Sequence, residues 1–319
     1  MASALETPMM KQFLAIKARY PDAIVFYRMG DFYEMFLDDA ELAAPLLDIA
    51  LTTRDKGKSD AVPMCGIPVH SADQYIKQLA GLGHRVAICE QVEDPKQLGG
   101  RRLVKRDVVE VVTPGLVGDP DGLDGRSEVS LAALDLAGPT GSAALSVLDA
   151  STGDFRATSV EGGEEDGLPL ALLEELERVA PREILVPLSC AEAIRKRLVE
   201  RLPDCAVTAV EDESFLTNGV PVEPEGFAGL SEDLGKRPAA ALLRYLGANQ
   251  PSALAHAPRI RRYELLDTVV MDAATRNHLE LFENSEDRGR TGTLIQLLDR
   301  TSCALGARRL ARATLPALR

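Results

Sequence analysis

Two side chains two residues apart, Phe32 and Glu34, could together read a nucleic-acid base. A flat aromatic ring can wedge between base steps of a duplex. A carboxylate beside it is unusual, because phosphates repel it. It is tolerable there only if it accepts a hydrogen bond from a base N–H. The pair lies in Arg28-Met29-Gly30-Asp31-Phe32-Tyr33-Glu34. The apolar, β-rich run Ala23-Ile24-Val25-Phe26-Tyr27 predicts a strand leading into Gly30-Asp31, a turn pair. From Glu34 to Leu42 the pattern reads as a helix, so both side chains would stand at a rigid strand-to-helix junction. Spacing alone favours a plainer reading, with Phe32 in a core and Glu34 a first-turn helix acid.

Phosphate contacts would need cations. Arg54, Lys56 and Lys58 fall in one predicted loop, and Lys96, Arg101, Arg102, Lys105 and Arg106 form a second cluster. The net charge of −13 argues against nucleic acid only superficially. Residues 1–116 carry 14 Lys/Arg and 16 Asp/Glu, a balance of −2, and the remainder carries −11. Local clusters, not net charge, supply phosphate contacts. For any one of these residues a solvated loop charge is the plainer reading.

Other chemistries are weaker. Gly57-Lys58-Ser59 resembles the end of a phosphate-binding P-loop, but the glycine needed five residues earlier is Thr52, and Val62-Pro63 follows where a helix should start. Asp135, Asp149 and Asp154 lie on adjacent predicted strands and could hold two metal ions for phosphodiester cleavage. Turn and strand-end aspartates explain them more simply, since no fourth ligand appears. His70, His84, His256 and His278 have no metal-ligand partners at usable spacing. Cysteines 65, 89, 190, 205 and 303 show no paired spacing and read as reduced residues of a cytosolic protein. No signal peptide and no membrane-length apolar run is present.

The elements that would position these groups are legible. A helix over 6–19 ends before Pro21. Strand, helix and the basic loop follow, then a helix near 71–82 and strands at 85–91 and 103–112. This predicts a small mixed α+β domain over 1–116. Gly118-Asp-Pro-Asp-Gly-Leu-Asp-Gly125 is turn-rich and predicts a linker over 117–127. Strands at 129–137 and 143–150 and a third from Asp154 precede a helix at 169–180, a strand at 183–187, a helix at 191–201 and a strand at 206–210. That order predicts an α/β layer fold of the ribonuclease-H type over 128–235. From 236 to 319 the pattern is helical and incomplete, giving an α+β and α/β multidomain chain with an all-α segment at its end.

Several motifs occur in order with consistent spacing: Thr7-Pro-Met-Met-Lys-Gln12, Phe26 through Glu34, Met64-Cys-Gly-Ile-Pro-Val-His70, Ala87-Ile-Cys-Glu-Gln91 and Val112-Thr-Pro-Gly115. Leu148-Asp-Ala-Ser-Thr-Gly-Asp154, Met271 through Glu280, Leu294 through Asp299 and Gly306 through Leu310 continue the series. Together they closely resemble the N-terminal part of the MutS family of bacterial DNA mismatch-recognition proteins. One departure is Val69, where the family commonly has an aromatic before the histidine.

The resemblance implies that Phe32 stacks on a mispaired base and Glu34 hydrogen-bonds it, with Met64 in the neighbouring turn packing beside the wedge. It implies a mismatch-recognition domain, a connector and the beginning of a helical lever and core domain. The implied partners are mismatched double-stranded DNA, a MutL-type repair protein docking on the connector, and a second copy at full family length. ATP and magnesium belong to a C-terminal part without counterpart here. The chain is therefore expected to be a fragment or truncated reading frame, without enzyme activity or cofactor of its own.

Such a mode of reading is physically reasonable. Mispairs differ in donor and acceptor pattern but share weak stacking and cheap deformation. A protein that kinks DNA and inserts a ring in the minor groove reads that cheapness as energy. Alternatives from other classes are a structural, junction-binding paralogue and the metal nuclease built on Asp135, Asp149 and Asp154.

Overall fold

The computed structural model describes residues 4–54, 61–93, 104–117, 129–136, 142–149, 152–160, 168–230, 235–254, 259–265 and 273–314. The chain divides into two compact units, Met1–Val117 and Gly118–Arg319. Most of the predicted linker, the basic residues Lys56, Lys58, Lys96, Arg101 and Arg102, and His256 lie outside the described residues.

In the first unit, helix α1 (Pro8–Arg19) starts with Thr7 accepting from the Met10 amide and proline at its first position, where a missing N–H costs nothing. Strand β1 (Ala23–Met29) pairs antiparallel with β2 (Phe32–Phe36) and parallel with β5 (Arg85–Gln91). The sheet is completed by β3 (Thr52–Arg54), β4 (Val62–Pro68) and β6 (Arg106–Val112), in the order β3-β4-β2-β1-β5-β6. Helices α2 (Asp38–Leu47) and α3 (Ala72–Gly81) complete the unit.

Both faces of this sheet are covered, which is why Ala23–Tyr27 reads as an unbroken apolar run. Ile24 and Phe26 point to one face with Tyr33, Met35 and Ile67, against Ala40, Ala43, Leu47, Ile76 and Leu79. Val25 and Tyr27 point to the other with Phe36 and Val62, against Met10, Phe13 and Ile16 of α1. Each fully buried side chain of this kind stabilises the fold by about 1.5–3 kcal/mol. A polar strut crosses the unit: Asp39, buried, accepts from Lys17 Nζ at 2.7 Å and from the Val25 amide at 3.0 Å.

Two local expectations fail here. The helix read over 34–42 starts late, and its first residues are strand. Phe32–Phe36 forms a strand because its backbone is paired on both sides, to β1 and to β4, and its aromatic alternation fills both faces. The helix begins only at Asp38, after Leu37 turns the chain at φ 54°. Nor is Met64 in a turn; it lies in β4, opposite Phe36 and Thr52.

The second unit holds a sheet of β7 (Leu131–Asp135), β8 (Ala143–Asp149), β9 (Asp154–Val160), β10 (Glu183–Pro187), β11 (Ala206–Val210) and β12 (Ile260–Arg262). Its order is β11-β10-β7-β8-β9-β12, with β7, β8 and β9 antiparallel and β10 parallel to β7. Helices α4 (Leu170–Val179) and α5 (Ala191–Arg201) cover the face carrying Ala132 and Leu134. Helix α6 (Lys236–Asn249) packs on β7 and β8, its Arg237 bound to Asp135, which alternates to the opposite face. The segment expected to open the helical region at 236 therefore packs on this sheet, and β12 pairs with β9. Short helices at Ala273–His278 and Leu294–Leu298 and a longer one at Ala304–Thr314 follow. No described helix is long and apolar enough to cross a membrane.

Candidate nucleic-acid interface

The β1–β2 hairpin is closed by Gly30 and Asp31, with Met29 opposite Phe32. Gly30 adopts φ +61°, which glycine takes without steric cost, and a glycine-first two-residue loop suits the twist of a hairpin. Phe32 follows immediately and is 48% exposed. No other phenylalanine of the chain is exposed: Phe13, Phe26, Phe36, Phe155, Phe215 and Phe227 are buried and Phe282 is half-buried. An aromatic ring left in water at the end of a rigid hairpin has apolar surface to offer a partner.

Period-two alternation puts Phe32, Glu34 and Phe36 on one face, the α1 side. Glu34 lies opposite Tyr27 on β1 and Gly66 on β4. Gly66 keeps the floor beside it low: a Cβ there would meet the Tyr33 carbonyl oxygen at 3.4 Å and Glu34 Cγ at 3.7 Å. Arg54 reaches back from β3, its Nη1 3.5 Å from Glu34 Oε2 and its guanidinium 5.9 Å from the Phe36 ring centre. Burial raises the Glu34 carboxyl above its ordinary value of 4.5, and the charges of Arg54 and then Arg106 oppose that rise without cancelling it.

A raised carboxyl favours the folded state fully below the unfolded-state value and loses that contribution as pH rises through the folded-state value. At neutral pH the ionised Glu34 thus opposes folding. Glu34→Gln should melt higher than wild type at pH 7, and the gain should vanish in the acid range below 4.5. Thermal melts of both proteins across pH check this; a lower melting temperature for the variant at pH 7 contradicts it.

The hairpin is braced from its other face. Arg28 donates from Nε to the Gly30 carbonyl at 2.6 Å and from Nη1 to Glu90 at 3.2 Å, and lies 5.5 Å from the Tyr33 ring centre. The Tyr33 hydroxyl donates to the same Glu90 oxygen. Burial, reinforced by that bond, pushes the Tyr33 hydroxyl up to about 12, so it stays a donor at any physiological pH. Sequence reasoning assigned these three residues nothing. Their sole signal was membership of the same motifs, Arg28 and Tyr33 beside Phe32 and Glu90 in Ala87–Gln91.

The remaining assigned residues part company. Met64 packs on the α1-side core and faces Phe36, whereas Phe32 faces Pro68. Four residues of β4 separate the two positions, about 13 Å of strand. The neighbour of Phe32 on its own face is Met29. Arg54 is spent on Glu34 rather than pointing out of a loop. Arg106 is buried: it donates to the Arg28 and Val104 carbonyls at 2.7 and 3.1 Å and lies 5.1 Å from the Tyr27 ring centre, so it is no phosphate contact. Lys105 is exposed beside it.

The nuclease constellation is not assembled. Asp135 is opposite Ala144 on β8, five residues from Asp149, or about 17 Å, where two-metal sites need ions ~4 Å apart. Asp135 binds Arg237 Nε at 2.5 Å, Asp149 accepts from the Thr152 amide at 3.1 Å in the β8–β9 turn, and Asp154 pairs with Arg261. Among the described residues no group of three His, Cys, Asp or Glu could hold a metal. The five cysteines are free thiols.

Models of two protein-family domains match most of the chain. The model of MutS domain I matches residues 7–121, and that of MutS domain II matches 129–258. The DNA mismatch repair protein MutS of Syntrophobacter fumaroxidans is 42% identical over 318 residues, covering 95% of this chain and 34% of the relative. Those of Anaeromyxobacter dehalogenans and Myxococcus xanthus are 45% and 42% identical, each covering 96% of this chain and 34% of the relative. The chain thus spans about a third of the length of these relatives.

Proposed function

The chain belongs to the MutS family, and on that premise we propose that residues 1–116 read mispaired or unpaired bases in duplex DNA, through Phe32 as a minor-groove wedge and Glu34 as the acceptor of a base hydrogen bond. One observation carries the reading: the sole exposed phenylalanine ends a hairpin braced by Arg28, Tyr33 and Glu90, with Glu34 on the same face. Insertion needs a ring whose position is fixed beforehand, since ordering it on contact would cost affinity. The reading makes the chain the recognition part of a mismatch-repair protein of the cytoplasm. ATP hydrolysis and the principal dimer contacts fall to the two thirds of the relatives that it does not span.

For the second unit, the antiparallel β9-β8-β7 followed by parallel β10 and β11 supports a connector of the ribonuclease-H type. In this reading it is a docking platform for a MutL-type protein and not a nuclease.

Binding decides the matter. The chain, alone and grafted in place of the matching third of the Myxococcus xanthus relative, should bind a mismatched duplex more tightly than a perfect duplex or a four-way junction. Preference for the junction, or equal affinity for all three, sinks the reading. Salt dependence tests the cations Lys56 and Lys58. Changing Lys56 and Lys58 together to alanine should lower the slope of log affinity against log salt by about two units, with mismatch preference unchanged. An unaltered slope means that neither lysine contacts DNA.

A further inference from the structure

Arg54 was expected among the phosphate contacts, yet its guanidinium is directed along the sheet toward Glu34. Resting on the reading above, we propose that Arg54 determines specificity by holding the Glu34 carboxylate against the sheet, where only a base that offers a hydrogen-bond donor displaces it.

The geometry supports an exchangeable hold rather than a lock. The side chains of Arg54 and Glu34 are 38% and 21% exposed, and their closest approach is 3.5 Å. A partly exposed pair of that kind is weak. A base N–H to a carboxylate in a water-poor groove is a stronger, charge-assisted bond. Had the pair been short and buried, Glu34 could not leave it; with no pair at all, nothing would orient the carboxylate between encounters. Arg54 is itself held at both ends. Its backbone is in the β3–β4 ladder opposite Val62, and its guanidinium lies over Phe36, two residues along the strand from Glu34. Gly66 places no side chain between the two groups and the open face.

Arg54 also favours the charged form of Glu34. The charged groups acting on that carboxyl are Arg54 from β3 and Arg106 from β6, and burial works against both. Arg106 is committed to the Arg28 and Val104 carbonyls, which leaves Arg54 as the cation paired with Glu34. An ionised Glu34 repels the phosphates of a perfect duplex and finds no free donor there. A neutral Glu34 lets that duplex approach. Removing Arg54 should therefore erase discrimination through Glu34, not through general affinity.

The test compares affinities of the grafted protein for mismatched and perfect duplexes, and reads their ratio, in which a general loss of positive charge cancels. Arg54→Met should narrow the ratio at least threefold, Arg54→Lys should restore most of it, and Arg54→Met should change nothing further in a Glu34→Gln background. If Arg54→Met misfolds by circular dichroism, Arg54→Gln, planar over Phe36 but uncharged, makes the same comparison. Equal weakening on both duplexes, with the salt slope lower by about one unit and the effect intact in Glu34→Gln, makes Arg54 a phosphate contact and overturns the proposal. So does an unchanged ratio. A wild-type protein with no mismatch preference instead refutes the reading of the preceding section, a result separable from either.

Discussion

Phe32→Ala should lower affinity for a mismatched duplex at least tenfold while leaving non-specific binding nearly unchanged. The ring stacks where unstacked bases would otherwise lie open, and such stacking contributes roughly 1–3 kcal/mol per base. The structure separates this effect from damage to the fold. Phe32 is 48% exposed and outside both apolar cores of its unit, so truncation should change stability by only about 0.5 kcal/mol. Phe36 supplies the contrast. It is fully buried on the same strand and face, against Phe13 and Tyr27, and its truncation should cost about 3–5 kcal/mol of stability and weaken every DNA alike. Titrations on matched pairs of duplexes, beside thermal melts, check both. Equal weakening by Phe32→Ala on mismatched and perfect DNA would show that its ring serves the fold.

Glu34→Ala should tighten binding to perfect duplex several-fold while changing mismatch binding less, so the ratio between them narrows. Against a perfect duplex the carboxylate faces phosphates and finds no donor; against a mispair it accepts a base hydrogen bond, or shares a proton with a base nitrogen, and the penalty is relieved. A repulsive element aimed at the wrong partner is a common route to specificity. Glu34→Gln drops the charge and keeps an acceptor, so it should fall between alanine and wild type. The raised carboxyl fits the proton-sharing form, because a half-buried group already biased toward protonation gives up less in accepting the proton. The helix-acid role that spacing favoured is gone, since Glu34 is in mid-strand between β1 and β4. An unchanged affinity ratio across the three proteins would leave Glu34 as no more than a partner for Arg54.

Elements whose pattern is set by burial could be read directly. Ala23–Tyr27, buried on both faces, is a strand; so is 183–187, buried throughout, while 191–201 buries Ala191, Ile194 and Leu198 at helical spacing and 206–210 pairs beside 183–187 as a strand. Phe32–Phe36 misled because Tyr33 and Met35 fill one core while the other face runs from an exposed ring through an acid to the buried Phe36. No binary pattern marks such a strand, and the acids of Asp38-Asp39 pulled the helix start forward. Arg106 misled for a different reason. Cations adjacent in sequence suggested one exposed cluster, whereas strand alternation buries Arg106 over Tyr27 and leaves Lys105 in water. Partnerships of long sequence separation were illegible altogether. Arg28 and Tyr33 meet at Glu90, and Glu34 meets Arg54, only because β1 and β2 are central strands with β5 and β4 beside them.

The most direct test of the wedge places a fluorescent adenine analogue, 2-aminopurine, beside a mispair and follows its emission as the grafted protein binds. Inserting a ring and unstacking the neighbouring step should brighten the probe on mismatched DNA and leave it dim on the matched duplex. With Phe32→Ala the brightening should disappear even at protein concentrations that saturate the DNA. Brightening that survives Phe32→Ala, or a wild-type complex in which the probe stays dim beside the mispair, would contradict the account.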